Sequence, residues 1–312
     1  MKTGASSGLP SVSIVIATLG REKVLVETLT LLLGLRHGAE ELLVVDQSPS
    51  HERETTAALQ AWHSQGRIRW IRREKPSIPA AMNDGLRQAR SEVVLFVDDD
   101  VRPRGELVRA HAEVHGEGPR AAVNGQVLQP GETAFDGPTS AGLEGMQRDL
   151  DFRFNSTRAV DDIASLIGCN LSVRRAAALD VGGFDERFVG AAYRFETEFC
   201  RRLLRSGLAT RFDPRPSIDH LRAGTGGTRH RGSHLTSASP AHAVGDYYFA
   251  HLEAMGMARW RYIARRMLRE VATRFHARRP WWIPVKLVGE ARGLLLARKL
   301  YREKLREARS AA

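Results

Sequence analysis

Three consecutive carboxylates, Asp98-Asp99-Asp100, follow the apolar run Val93-Val94-Leu95-Phe96-Val97. Adjacent carboxylates repel unless a cation or solvent screens them, so turn and cap propensity accounts poorly for three in a row. Extended-chain alternation puts Asp98 and Asp100 on one side and Asp99 on the other. Two hard oxygen ligands so spaced suit Mg²⁺ or Mn²⁺, which take one or two carboxylates and complete their shell with substrate phosphates. Two more apolar runs end on polar residues: 13–17 on Thr18, and 42–45 on Asp46. Parallel sheets bind ligands at the carboxyl ends of their strands, so these polar ends can meet in one crevice. Turn chemistry alone explains Thr18 and part of the case for Asp46. Thr18-Leu19-Gly20-Arg21 carries neither G-x-G-x-x-G nor G-K-[ST]. Phosphate charge then falls to a divalent ion and basic side chains, which points to a nucleotide held through that ion.

The elements that must position these residues alternate. Hydrophobic patterning predicts strands at 13–17, 42–45, 68–71 and 93–97, separated by helices over 22–34, 51–63 and 79–90. The last helix has proline in its first turn. Near-continuous apolar strands with helices between them predict an α/β fold, a mostly parallel sheet covered on both faces. Further strands are expected at 121–128 and 167–173, around a glycine-rich excursion over 130–151. A helix over 195–205 aligns Phe195, Phe199 and Leu203. Residues 222–239 are rich in Gly, Thr, Ser, Arg and His and too long for a mere connection. From Pro240 the chain is mainly helical, broken at Pro280 and Pro284.

In this order and spacing the pieces resemble glycosyltransferase family 2, with its GT-A fold. The resemblance is carried by Val12 to Thr18, Leu43-Val-Val-Asp46-Gln-Ser48, Pro79-Ala-Ala-Met-Asn83 and Phe96-Val-Asp-Asp-Asp100, then by Gly168-Cys-Asn170-Leu-Ser-Val-Arg-Arg and Gly182-Gly-Phe-Asp-Glu186. It implies a GT-A-like domain over 1–239, with a nucleotide-sugar half at 11–103 and an acceptor half at 104–239, followed by a basic helical extension over 240–312. It further implies an inverting, metal-dependent transfer of a sugar from a nucleotide-diphosphate donor. On this resemblance Thr18 and Asp46 contact the nucleoside, Asp98 the ribose and Asp100 the Mn²⁺ or Mg²⁺ ion. Asp99 and Asn83 belong to the donor site, although the arginine often found before the asparagine is Met82 here. The family's T-Y-N-R is Thr18-Leu19-Gly20-Arg21, so its tyrosine and asparagine contacts have no counterpart. The family's base lies in a Glu-Asp pair opening a helix; counting back from Arg202-Leu203 puts Phe195 at the glutamate and Glu196 at the aspartate. Glu196 is thus the expected base, with Glu198 in reserve. Both acids also complement a helix N-terminus, and Glu198 can pair with Arg202 at i+4. His220 falls where related enzymes place a further metal ligand. Arg229 and Arg231, in the glycine-rich segment after it, are expected to neutralise the diphosphate.

Composition bounds the rest. A hydrophobic share of 42% with 27% charged residues fits a soluble globular chain able to bury its own core. Its two cysteines, Cys169 and Cys200, exclude a disulfide scaffold and a four-cysteine zinc site. The net charge of +11 is concentrated: residues 259–312 carry 16 Lys and Arg against four acids, which leaves the remainder at −1. A near-neutral body argues against nucleic acid in the cleft. Leu287, Val288, Ala291, Leu294 and Leu295 share one helical face near Trp281-Trp282, flanked by Lys286 and Arg292. Such a helix lies on anionic lipid or packs its stripe on its own domain, and the sequence favours neither. No signal-type leader and no run near the roughly 18 apolar residues of a membrane span are visible. The expectation is a cytoplasmic enzyme, with attachment to the inner face of the plasma membrane if the tail meets lipid. A hydroxyl of a lipid-linked or cell-surface glycan is then the attractive acceptor. Two readings compete with this one. A nucleotidyltransferase making sugar nucleotides would want a longer, glycine-rich basic loop than Thr18 to Arg21. A non-enzymatic membrane- or nucleic-acid-binding module would centre on the tail.

Overall fold

The computed structural model describes residues 8–140, 146, 151–227 and 233–310. Four strands open the chain: β1 (Val12–Thr18), β2 (Glu41–Asp46), β3 (Arg69–Arg72) and β4 (Val93–Val97). They lie parallel in the order β3-β2-β1-β4. Helices α1 (Lys23–Leu33), α2 (Arg53–Ser64) and α3 (Ile78–Gln88) connect them. Both faces of these strands are covered, which explains their apolar runs: Ile14, Ile16, Val44, Leu95 and Val97 pack with α1 and α2, whereas Val15, Leu43, Val45, Val94 and Phe96 pack with α3.

The sheet continues through β5 (Val101–Arg104), β6 (Arg120–Leu128), β7 (Val160–Asp161), β8 (Asn170–Arg174) and β9 (Ala209–His220), in the full order β3-β2-β1-β4-β8-β6-β9-β5. This half is mixed. β8 runs antiparallel between β4 and β6, and β9 runs parallel to β6 but antiparallel to β5. β5 and β9 have no apolar alternation to announce them, because Pro103, Pro214 and Pro216 interrupt both. The β6–β9 pairing skips from Asp213 to Ser217 around the two prolines, a bulge that tolerates their missing donors. Helix α4 (Leu107–Gly116) packs on β9 and β6, and its His111 and His115 reach Ser172 on β8. Short helix α5 (Arg175–Asp180) leads to α6 (Phe195–Arg205), which buries Phe195, Phe199 and Leu203 as the sequence spacing requires.

A 3₁₀ turn at Pro240–His242 introduces α7 (Val244–Glu253), α8 (Gly256–Val271), α9 (Arg274–Arg278) and α10 (Trp282–Ser310). Helix α7 is part of the main core: Tyr247, Tyr248 and Phe249 are fully buried in the cluster that holds Phe96, Phe184 and Phe199. Among the described residues no helix is long and apolar enough to cross a membrane.

Candidate active site

The carboxyl ends of β1 and β4 and the starts of β8 and α6 surround a cleft of about 480 Å³, within the usual range for a small-molecule site. Its walls are apolar at Val15, Ile78, Met82, Phe96, Ile167 and Phe195, and polar at Arg21, Gln47, Asp98 to Asp100, Gln129, Glu196 and His220. Asp98 to Asp100 form the turn from β4 into β5. Sheet register does the rest. β5 pairs with β9 so that Val101 faces His220, which sets the imidazole beside Asp100. β6 pairs with β9 so that Leu128 faces Asp219, which sets Gln129 beside His220.

His220 Nε2 lies 3.3 Å from Asp100 Oδ1 and 3.4 Å from Asp98 Oδ2. Gln129 Oε1 sits 3.0 Å from His220 Nδ1 and accepts its proton, so Nε2 is the nitrogen aimed at the carboxylates. Asp98, Asp100 and His220 each offer one ligand atom, and the three atoms lie within 4.8 Å of one another. Burial opposes charge on the imidazole, but Asp100 and Asp98 outweigh it and raise His220 to about 9. The imidazolium thus supplies positive charge where a divalent ion would supply more. Burial also resists charge on Asp100, yet His220, the Ala223 N–H and Arg21 hold its carboxyl below the usual range. Asp99 points the other way, as alternation requires, and is buried against Arg21 Nε (3.2 Å) and the Thr18 hydroxyl, which donates at 2.6 Å. Burial pushes Asp99 up to about 7, against the pull of Arg21 and Thr18. Two carboxylates and an oriented imidazole make a donor set that fits Mn²⁺ or Mg²⁺.

Arg21 is the residue the sequence underrated. Its guanidinium is almost fully buried, bonds to the Ala223 and Thr225 carbonyls, and contacts Asp100 Oδ2 at 3.3 Å. It ties the β1 loop, the aspartate turn and the segment after β9 into one unit. Its place in Thr18-Leu19-Gly20-Arg21, where the resemblance has an arginine, was the signal for it. Gln129 had none, since only the β6–β9 pairing brings it to the site.

Thr18, Asp46 and Asn83 do not line the cleft. Thr18 supports Asp99 from behind. Asp46, fully buried, accepts from the Ser48 N–H (2.8 Å), Trp70 Nε1 (3.0 Å) and Arg72 Nη1 (2.5 Å), with His51 Nε2 at 3.0 Å. Burial works against its charge, but these donors prevail and lower its pKa. Its neighbour Gln47 reaches the cleft and braces the entry to α3 by accepting from the Ser77 N–H at 2.6 Å. Asn83 clasps both backbone groups of Phe184 at 2.8 Å, so it holds the Gly182-Gly183-Phe184-Asp185 turn against α3.

Glu196 and Glu198 separate cleanly. Glu196, half-buried in the first turn of α6, lines the cleft beside Gly168. Glu198 is buried and takes a two-pronged pair from Arg202, at 2.9 and 2.7 Å. Arg194, which starts α6 in a left-handed conformation (φ 77°), is held by Asp246 at 3.1 Å and the Tyr262 hydroxyl at 3.2 Å. The C-terminal helices therefore fix the helix that carries Glu196. Arg229 and Arg231 lie outside the described residues, as does most of 141–150 in the glycine-rich excursion. Both cysteines are buried thiols, and the Cys200 thiol donates to the Ile163 carbonyl at 3.1 Å.

Residues 13–182, more than half of the chain, match the family model for glycosyl transferase family 2. No curated protein matches the sequence. Among solved structures, the mannosyltransferase PcManGT from Pyrobaculum calidifontis in complex with GDP-Man and Mn²⁺ is 16% identical, with a TM-score of 0.54 over 97% of this chain and 81% of that one. GalNAc-T7 with UDP, GalNAc and Mn²⁺ is 13% identical, with a TM-score of 0.54 over 80% of this chain. S. aureus TarS is 17% identical, with a TM-score of 0.54 over 85% of it. The match spans 52% and 44% of those two longer chains. At such identities these are likenesses of fold, and the fold is the expected GT-A type.

Proposed function

Because the chain belongs to glycosyl transferase family 2, and is a glycosyltransferase, we propose that it moves a sugar from a nucleotide-diphosphate donor to an acceptor hydroxyl with inversion, with help from a divalent ion. The observation that carries this is the convergence of Asp98, Asp100 and Nε2 of His220 in a cleft that Glu196 also lines. Two similar folds, PcManGT and GalNAc-T7, were solved with Mn²⁺ and a nucleotide or nucleotide sugar, which supports the same use here. Asp98, Asp100 and His220 hold the Mn²⁺ or Mg²⁺ ion, which when bound neutralises the diphosphate leaving group. Asp98 also faces the ribose from its half-exposed position. The nucleoside end lies towards Gln47, with Asp46 and Thr18 shaping that end from behind. Asp99 and Asn83 keep the donor wall in place. Arg229 and Arg231 meet the diphosphate from the segment after β9.

Glu196 takes the acceptor proton as the acceptor oxygen bonds to the anomeric carbon. The bond from that carbon to the diphosphate breaks on the opposite face, and its electron pair leaves with the nucleoside diphosphate. A glycan hydroxyl is the acceptor, presented on the Glu196 side. The test uses water in place of the unidentified acceptor. A panel of nucleotide-diphosphate sugars is incubated with the protein and Mn²⁺, and the sugar released is followed by proton NMR. One donor class is expected to be hydrolysed, with the first-formed sugar opposite in anomeric configuration to the donor. A first-formed sugar of the donor's own configuration refutes the direct displacement.

A further inference from the structure

Helices α8 and α10 bury charged groups beside apolar ones. Tyr262 and Ile263 of α8 and Ala297 of α10 enter the main core, and Arg266 of α8 and Lys286 and Glu290 of α10 are each at most 6% exposed. Lys286 Nζ pairs with Glu290 at 2.9 Å and Glu270 at 3.0 Å, Arg266 pairs with Asp246 and Glu290, and the Tyr247 hydroxyl donates to Glu290 at 2.6 Å. Small residues bring α10 close to the body, and its Leu294, Leu296, Leu300 and Tyr301 are partly buried against the core. A Cβ on Gly289 would meet the Ser237 carbonyl oxygen at 2.7 Å, and one on Gly293 would meet Ala243 Cβ at 2.6 Å.

Other large apolar side chains of the two helices are exposed. On α8, Met257, Trp260 and Leu268 are 72%, 58% and 66% exposed, and their spacing puts them on one stripe with Ala264. On α10, Leu287, Val288 and Leu295 are exposed, as is Trp281 just before it. Arginines flank these stripes: Arg261 and Arg265 on α8, Arg292 and Arg298 on α10, none of them within ion-pair distance of a carboxylate among the described residues. The nearby acids, Glu270 and Glu290, are turned inward and paired. α8 and α10 contact each other, so the helices that carry the two stripes are neighbours.

We propose that this region docks on an anionic lipid bilayer, with the stripe side chains in the headgroup–acyl boundary and the arginines on the headgroups. Charge complementarity selects this occupant. A second copy of the chain would bring the same unpaired arginines against their own kind, whereas an anionic surface neutralises them. Paired tryptophans, arginine flanks and apolar centres are the composition of an interfacial helix and not of a bilayer span. Docking here is independent of the transfer chemistry, so its test needs no substrate.

The test is flotation of the full chain with vesicles of phosphatidylcholine alone and of phosphatidylcholine with phosphatidylglycerol. The wild type is expected to float with the anionic vesicles only, and to be released as salt rises. The Met257→Ser/Trp260→Ser/Leu268→Ser variant is expected to lose about ten-fold or more in partition, since each exposed side chain then forfeits apolar burial. Arg261→Gln/Arg265→Gln is expected to lose about five-fold per arginine. All five substitutions are at exposed positions, and circular dichroism checks that the fold is kept; Leu287→Ser/Leu295→Ser repeats the test on α10 should the α8 variant misfold. Equal binding to neutral vesicles, no binding to anionic ones, or variants that float like the wild type each overturn the proposal. So does a dimer broken by the triple substitution in a chain that ignores vesicles, because that face is then a contact between copies.

Discussion

Replacing either glutamate of α6 by glutamine removes one charge and almost no volume, yet the two substitutions are expected to have opposite consequences. Glu196 lines the cleft and Glu198 is sealed beneath it by Arg202. In Glu196→Gln the acceptor hydroxyl loses its proton acceptor, a loss of about 10²- to 10⁴-fold in kcat, or about 3–5 kcal/mol of transition-state stabilisation. Donor affinity and stability are expected to stay near wild type, because the residue is half-buried and its substitute is isosteric. In Glu198→Gln the ion pair with hydrogen bonds at 2.9 and 2.7 Å becomes a single bond from the guanidinium to the amide oxygen, with the amide NH2 facing the other N–H. The expected cost is about 1.5–3 kcal/mol of stability, with kcat within about ten-fold of wild type. The assay pairs urea unfolding with single-turnover transfer or donor hydrolysis. A Glu196→Gln enzyme with near-normal kcat, beside a well-folded Glu198→Gln enzyme that has lost most of its rate, refutes the assignment.

Asp246 balances Arg194 and Arg266 beneath α8, all three side chains at most 10% exposed. Asp246→Ala removes the carboxylate that two buried guanidinium groups share, although Arg266 keeps Glu290, and is expected to cost about 3 kcal/mol in urea unfolding; a loss under about 1 kcal/mol refutes a structural role for the network. His111 and His115 are buried on α4, and burial lowers them to about 4 and about 3. The unfolded chain takes up protons near pH 6.5 that the folded chain refuses. Stability is therefore unaffected by this pair well above that pH, falls as pH drops through it, and levels off only near the folded values. At pH 5 the penalty is about 2 kcal/mol per histidine. His115→Gln is expected to show a shallower loss of stability than wild type between pH 7 and 5, and parallel curves would contradict the reading.

The part of the site carried by strand ends was legible in the sequence. Val93 to Val97 is apolar throughout because both faces of β4 are covered, so the strand end at Asp98 to Asp100 was unmistakable. His220 required the likeness to a family, since its position depends on β5–β9 pairing across more than a hundred residues. Gln129 was invisible for the same reason. Asp46 and Asn83 were legible as polar groups in the right places, but a sequence does not show that Trp70, Arg72 and His51 surround one, or that the other grips Phe184. Periodicity pointed to the apolar stripe of α10 and could not say which way it faced. The helix turns Leu294, Leu296, Leu300 and Tyr301 to the core, and the close approach at Gly289 and Gly293 and the charges that satisfy one another around Lys286 contribute nothing to a hydrophobic pattern.

Calorimetric titration of nucleotide-diphosphate sugars tests the central claim most directly, done with Mn²⁺ and with chelator on wild type and Asp100→Ala. The account predicts that one donor class binds, that chelator weakens it about ten-fold or more, and that Asp100→Ala abolishes the metal-dependent part while the fold is retained. A donor that binds equally well with chelator, or that Asp100→Ala holds as tightly as wild type, would contradict the assignment of Asp98, Asp100 and His220 to the ion.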